Sequence, residues 1–148
     1  MDGKIKQINS LLIDVYDDVV DIEEAAIKRG SFSDLSIKEI HTIGAVGIYG
    51  KKTMSELAQA MKVTMGTLTT TIDRLIRKGY VQRCRSNEDR RIVNIILTKR
   101  GKLACRVHEK FHLDMVTMVI NAFTQEEEEI LIRALSKLND HLRTYTSL

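Results

Sequence analysis

TMSELAQAMKVTMGTLTTTIDRLIRKGYVQRCRSNEDRRIVNIILTKRG, residues 53–101, decides the reading of the chain. Two short amphipathic helices are predicted, one starting at Thr53 and one at Thr64, and in the second Leu68, Ile72 and Leu75 share one face. The alternating stretch from Tyr80 to Arg85 reads as a strand, a polar tip turns the chain, and Ile92 to Leu97 reads as the returning strand. A helix pair that runs straight into a basic, two-stranded wing is the arrangement of a DNA reader, because few other functions need a cationic hairpin at that place.

The charge distribution agrees. Residues 51–102 hold 13 of the 23 Lys and Arg but four of the 20 acids, an excess of nine positive charges, whereas the rest of the chain has 10 against 16. Concentrated cations of this kind neutralise phosphates and release counterions.

Working outward, Ile5, Ile8, Leu12, Val15, Val19, Ile22 and Ala26 step by three and four and form one stripe along an amino-terminal helix. At the other end Thr124 and Glu127 make a capping box, after which Ile130, Leu131, Ala134, Leu135, Leu138 and Leu142 repeat at helical spacing. Capping boxes at Ser36 with Glu39 and at Thr53 with Glu56 set helix starts near Ile37 and Met54, and Thr98 is placed to cap a long helix carrying Leu103, Val107, Phe111 and Met115. The expected fold is mainly α with a small β-wing. Residues 31–101 form the winged helix-turn-helix domain, and residues 1–30 and 102–148 form dimerisation helices, since the reader is too small to cover both terminal stripes. The expected assembly is a homodimer.

In a chain of 148 residues with 43% apolar content and no Pro, a packed helical core is affordable. The amino terminus lacks the apolar segment of a signal peptide and no uncharged stretch approaches the roughly 20 residues of a membrane helix, so a cytoplasmic protein without membrane contact is expected. Cys84 and Cys105 have neither metal-type nor redox-type spacing and read as reduced packing residues.

In a helix-turn-helix the amino-terminal part of the second helix enters the major groove, which makes Thr67, Thr69 and Thr70 the candidates for base edges and puts Thr64 and Arg74 nearer the backbone. Gly66 lets the helix approach closely. Threonine methyls suit thymine methyls, and the Arg or Lys that would grip guanine is missing from the first two turns, so an A·T-rich inverted repeat is the expected target. In the wing, Arg85, Arg90 and Arg91 surround Glu88 and Asp89. A carboxylate there weakens phosphate attraction unless it has a structural task, and Asp89 is assigned the task of holding an arginine for the narrow minor groove of A·T-rich DNA. Which of Arg90 and Arg91 enters the groove is open at this point.

The ordered fragments Leu57-Ala58, Val63-Thr64, Arg74-Leu75, Lys78-Gly79-Tyr80-Val81, Arg83, Asp89-Arg90-Arg91 and Leu97-Thr98-Lys99-Arg100-Gly101 resemble the MarR family of winged helix-turn-helix regulators. Ser36 to Ile43, Val63 to Thr70 and His108 to His112 are similar to the fatty-acid-synthesis repressors of Gram-positive bacteria within that family. The resemblance implies a dimer on a palindromic operator and a long-chain acyl group on acyl carrier protein as corepressor. Ile40, His41, Ile43, Val107, His108, Phe111, His112 and Met115 are candidates for an effector pocket, and are equally compatible with a plain core.

No cofactor is required by that reading. His108 and His112 are four apart on one helix face, and with His41 and Glu24 they could hold zinc, as in the zinc-responsive relatives that the Glu and His set resembles. Polar packing of the histidines is the simpler account. An enzyme is not expected, because the chain has no phosphate-binding Gly loop, nucleophile elbow or evident carboxylate pair. A structural nucleoid protein would share the charge pattern and would show no preferred site.

Overall fold

A computed structural model describes residues 2–146. In chain order the elements are α1 (Gly3–Arg29), α2 (Ile37–Val46), β1 (Lys52–Thr53), α3 (Met54–Met61), α4 (Met65–Arg77), β2 (Val81–Arg85), β3 (Val93–Leu97), α5 (Lys99–Ile120) and α6 (Gln125–Thr146). The chain divides into two compact units, Met1–His108 and Glu109–Leu148, with the boundary inside α5.

Local sequence sets the helix starts. The Ser36 hydroxyl accepts from the Glu39 N–H at 3.1 Å while the Glu39 carboxylate accepts from the Ser36 N–H at 3.2 Å, a complete capping box. Thr124 and Glu127 form the same reciprocal pair. At Thr53 half of it forms: the hydroxyl accepts from the Glu56 N–H, and the Glu56 carboxylate takes the Thr53 hydroxyl. Thr53 also belongs to β1, opposite Asn94. Lys62, in the left-handed region at φ 54°, ends α3 and makes the tight turn to α4.

The wing is a three-stranded antiparallel sheet in the order β1-β3-β2, where the sequence predicts two strands. The missed strand has two residues, too few for any alternation to show, and Lys52 and Thr53 pair with Ile95 and Asn94. Between β2 and β3 the register runs from Val81 opposite Leu97 to Arg85 opposite Val93.

The core of the first unit joins α2 (Ile40, Ile43, Val46), α3 (Leu57), α4 (Leu68, Ile72, Leu75), the wing root (Tyr80, Val81, Ile95, Leu97) and the first turns of α5 (Ala104, Cys105). Burying some ten side chains of this size at about 1.5–3 kcal/mol each is the main force that fixes the reader's geometry. Gly101 permits a close backbone contact, since a Cβ there would lie 2.0 Å from the Tyr80 carbonyl oxygen. Cys84, read as a packing residue, is instead exposed on β2, whereas Cys105 is buried.

The terminal stripes stay open in a single chain: Ile5, Ile8, Leu12 and Val15 of α1 and Ile130, Leu135 and Leu142 of α6 are all exposed. Among the described residues no helix is long and apolar enough to cross a membrane.

Candidate nucleic-acid interface

Leu68, Thr71, Ile72 and Leu75 bury one side of α4, so Thr64, Gly66, Thr69, Thr70, Arg74 and Arg77 are exposed on the other, with Thr67 half-buried. The threonine hydroxyls are already committed as donors. Thr69 donates to the Met65 carbonyl at 2.8 Å, Thr70 to that of Gly66 at 3.1 Å, and Thr64 to the Thr67 hydroxyl at 3.0 Å. What Thr69 and Thr70 offer outward is a methyl group and oxygen lone pairs. That surface complements the thymine methyl and the adenine N6 amino group, both on the major-groove edge of an A·T pair. Thr71, by contrast, is buried against the core. A Cβ on Gly66 would meet nothing within 4 Å, so a side chain there would project into the approach path.

The tip of the wing is held by its own polar groups. The Ser86 N–H donates to the Ile92 carbonyl, and the Ser86 hydroxyl accepts from the Glu88 and Asp89 N–H groups. Asp89 in turn takes three bonds from Arg91: the backbone N–H at 3.0 Å, Nε at 3.1 Å and Nη2 at 3.1 Å. These hydrogen bonds, the side-chain pair first and the backbone N–H second, hold the Asp89 carboxyl below its ordinary range. The fork leaves the Arg91 side chain 91% exposed while fixing its direction. Arg90 makes no ion pair among the described residues; its carbonyl accepts from Arg85 Nη1 at 3.4 Å. Sequence left the two arginines undecided. The structure pairs Asp89 with Arg91.

One further link joins the helix to the wing, and a second anchors its carboxyl-terminal end to α2. Arg83 on β2 donates to Asp73 on the outer face of α4 at 2.9 Å, so the acid of the recognition helix is neutralised by the strand beside it. Behind the helix, Lys78 Nζ pairs with the buried Glu39 at 2.7 Å and also donates to the Asp34 carbonyl. The Tyr80 hydroxyl donates to Asp34 Oδ1 at 2.6 Å, and the Arg100 guanidinium lies 4.5 Å from the Tyr80 ring centroid and 3.5 Å from Asp34. Burial first, then the bond to Asp34, pushes the Tyr80 phenol up to about 12. Sequence reasoning did not foresee the pairings of Asp34, Glu39, Asp73 and Arg100, because each partner lies 10 or more residues away in the chain.

A second polar cluster lies in the first unit. The carboxylate of Glu23, 3% exposed, holds His41 Nε2 at 2.6 Å and His108 Nε2 at 3.0 Å from the same oxygen. The two imidazoles are 5.9 Å apart, and the three ligand atoms lie within 4.8 Å of one another. This corrects the acid expected from sequence: Glu24 is exposed and Glu23 converges on the histidines. The available signal was Ile27, which packs on the core and shares a helix face with the residue four before it. His112 lies one turn beyond His108, in the second unit, where its ring packs edge-on against Phe111 at 5.4 Å. Of the other pocket candidates, Ile40 and Ile43 are buried in the core, Val107 is exposed, and Met115 is half-buried in the second unit.

Comparison with known proteins places this architecture. The MarR family model matches residues 35–93. The repressor YetL of Bacillus subtilis is 31% identical over 91 residues, 62% of this chain and 54% of that protein, and the regulator PecS of Dickeya dadantii is 35% identical over 89 residues, 60% and 53%. The match thus spans about half the length of those relatives. Among solved structures, Streptococcus pneumoniae FabT in complex with DNA is similar with a TM-score of 0.89 and 38% identity, covering 95% of this chain and 98% of that one. A MarR family protein from Bacillus stearothermophilus, at 20% identity and a TM-score of 0.83 over 97% of this chain and 99% of its own, shares the fold. With a reading helix, a clamped wing tip and a likeness that runs over nearly the whole chain, the protein belongs to the MarR family of winged-helix transcription regulators.

Proposed function

We propose that the chain acts in the cytoplasm as a dimeric, sequence-specific repressor of fatty-acid synthesis genes, bound to an A·T-rich inverted repeat, with long-chain acyl-acyl carrier protein as corepressor. The observation that carries the DNA reading is the Arg91 guanidinium, fully presented at the wing tip and locked by Asp89. A preset cation loses little freedom on entering a narrow minor groove, where the negative potential is strongest. The donor-committed threonines of α4 supply the A·T preference. The lipid role is supported by likeness to FabT. The open apolar faces of α1 and α6 are suited to a second copy of the chain, because each is a continuous stripe too large to leave in water.

Selection of bound genomic fragments with and without hexadecanoyl-acyl carrier protein tests operator and effector together. Contacts to about 6–10 phosphates give a log-log salt slope near −5 to −9, and the acylated carrier is expected to tighten binding by about 5- to 150-fold. A slope near zero, or equal affinity for scrambled DNA, refutes the operator reading.

The Glu23, His41 and His108 cluster favours a second reading, in which zinc is the effector. A buried carboxylate and two imidazoles are a suitable donor set for that ion. Zinc-dependent operator binding that is lost in His41→Ala and His108→Ala, together with indifference to the acylated carrier, would displace the lipid reading.

A further inference from the structure

Lys51, Lys99 and Lys102, counted in the basic stretch 51–102, and Arg106 are among the cations of the first unit without an ion-pair partner among the described residues, and none of them lies on α4 or on the β2–β3 hairpin. On α5, Lys99, Lys102 and Arg106 fall within an arc of about 60° at 100° per residue. Ala104 and Cys105 are buried, so this arc faces away from the core. Tyr49, 89% exposed, lies with its ring centroid 6.0 Å from Lys102 Nζ, which brings the turn carrying Lys51 to the same place. The stretches 44–52 and 97–108 contain no acid.

The position of this face separates it from the wing tip and from the start of α4. The register sets Val81 against Leu97 at the root of the hairpin, and the Thr98 N–H donates to the Tyr80 carbonyl, so α5 begins at the root rather than at the tip. Tyr80 follows the carboxyl-terminal end of α4, the end opposite Thr64. Five strand residues measure about 17 Å and thirteen helical residues about 20 Å. Both separations are about two Debye lengths at physiological salt. Charges so placed contribute little to phosphate attraction, yet they remain uncompensated on one surface beside an exposed aromatic ring.

We propose that Tyr49, Lys51, Lys99, Lys102 and Arg106 form a docking face for a small acidic protein, which, resting on the function proposed above, is the acyl carrier protein that delivers the corepressor. Positive side chains without internal partners complement carboxylates on the incoming helix or loop, and Tyr49 gives the contact an apolar anchor. Docking here would bring the carrier to the root of the wing and leave the DNA-facing surface clear.

The test compares the full-length wild type with Lys102→Glu/Arg106→Glu and with Tyr49→Ala, after circular dichroism shows unchanged helix content. Operator affinity is read by fluorescence anisotropy, alone and with hexadecanoyl-acyl carrier protein, and carrier binding is read separately by surface plasmon resonance. Without the carrier, the variants are expected to bind operator within about twofold of wild type, since the charges lie about two Debye lengths from Thr64 and from the wing tip. With it, the double reversal should lose about tenfold or more of carrier affinity along with the corepressor effect, as reversed charges do across a complementary interface. Equal loss of operator affinity without the carrier would make this face a DNA contact and overturn the proposal. Full corepression in the variants would overturn it too, while leaving the lipid reading intact. No carrier binding by the wild type would remove both.

Discussion

Removing the amine of Lys78 isolates the link between α2 and the back of the recognition helix. Lys78→Met keeps the stem and deletes a charge that sits 2.7 Å from a carboxylate only 7% exposed. At that separation an effective dielectric of 20 gives about 6 kcal/mol of attraction. Roughly half is offset by desolvation, and breaking such pairs costs about 3–5 kcal/mol when both partners are fully buried. Because 32% of the Lys78 side chain remains in water, solvent can reach the orphaned carboxylate. The expected cost is therefore about 2–3 kcal/mol, or about 5–10 °C in Tm for a chain of this size. Glu39→Gln keeps an oxygen to accept from the Ser36 N–H and removes only the charge, so it should cost less. The double variant should then recover at least about 1 kcal/mol relative to the sum of the singles, the coupling expected of groups in one network. Thermal denaturation at one fixed protein concentration measures all four proteins. Additivity within about 0.5 kcal/mol would show that Glu39 and Lys78 do not interact, and the account of how α4 is anchored would fall.

Asp89→Ala makes the wing more basic and is nevertheless expected to weaken operator binding, because Arg91 loses its fork; tighter binding in an anisotropy titration would refute the orienting role. As the Asp89 carboxyl lies below its ordinary range, the pair stays intact at pH values above the usual carboxylate titration and is lost only as pH falls through the depressed value, so wild-type affinity should owe no pH dependence between 5 and 8 to Asp89. The Tyr80 phenol, raised to about 12, should remain protonated at pH 11, and Tyr80→Phe should delete one late step from the absorbance titration at 295 nm. Its contribution to stability is complete below the unfolded value near 10 and is lost as pH rises through about 12. Two glycines should part company: Gly101→Ala drives a methyl into the Tyr80 carbonyl and costs about 1–3 kcal/mol, whereas Gly66→Ala leaves Tm unchanged or higher and weakens operator binding.

The features legible in the sequence were those that depend on near neighbours. Ser36 and Glu39, Thr124 and Glu127, and Thr98 with Gly101 are three apart, so their spacing alone predicts the caps that form. The strand pair of the wing showed itself through alternation, and Leu68, Ile72 and Leu75 through helical period. What escaped is nonlocal. Glu23 meets His41 across 18 residues, Lys78 meets Glu39 across 39, and Arg100 meets Asp34 across 66. The face of α1 that carries Glu23 and Ile27 was overlooked because the apolar stripe of α1 drew attention to the face that a single chain leaves open. The choice between Arg90 and Arg91 needed the tip's backbone, because the turn made by Ser86 is what brings Asp89 beside Arg91.

Thr98 ties the two ends of the wing together at one point. Its hydroxyl donates to the Gly79 carbonyl at 2.6 Å and accepts from the Gly101 N–H at 3.1 Å, while its own N–H donates to Tyr80. The hairpin is thereby hinged at its root like a lever whose fulcrum is the first turn of α5. An arm of about 17 Å converts a tilt of roughly 5° at that turn into about 1.5 Å at the Arg91 tip, half the length of a hydrogen bond. A disturbance too small to loosen any packed residue at the fulcrum is then enough to seat or unseat a guanidinium in a groove.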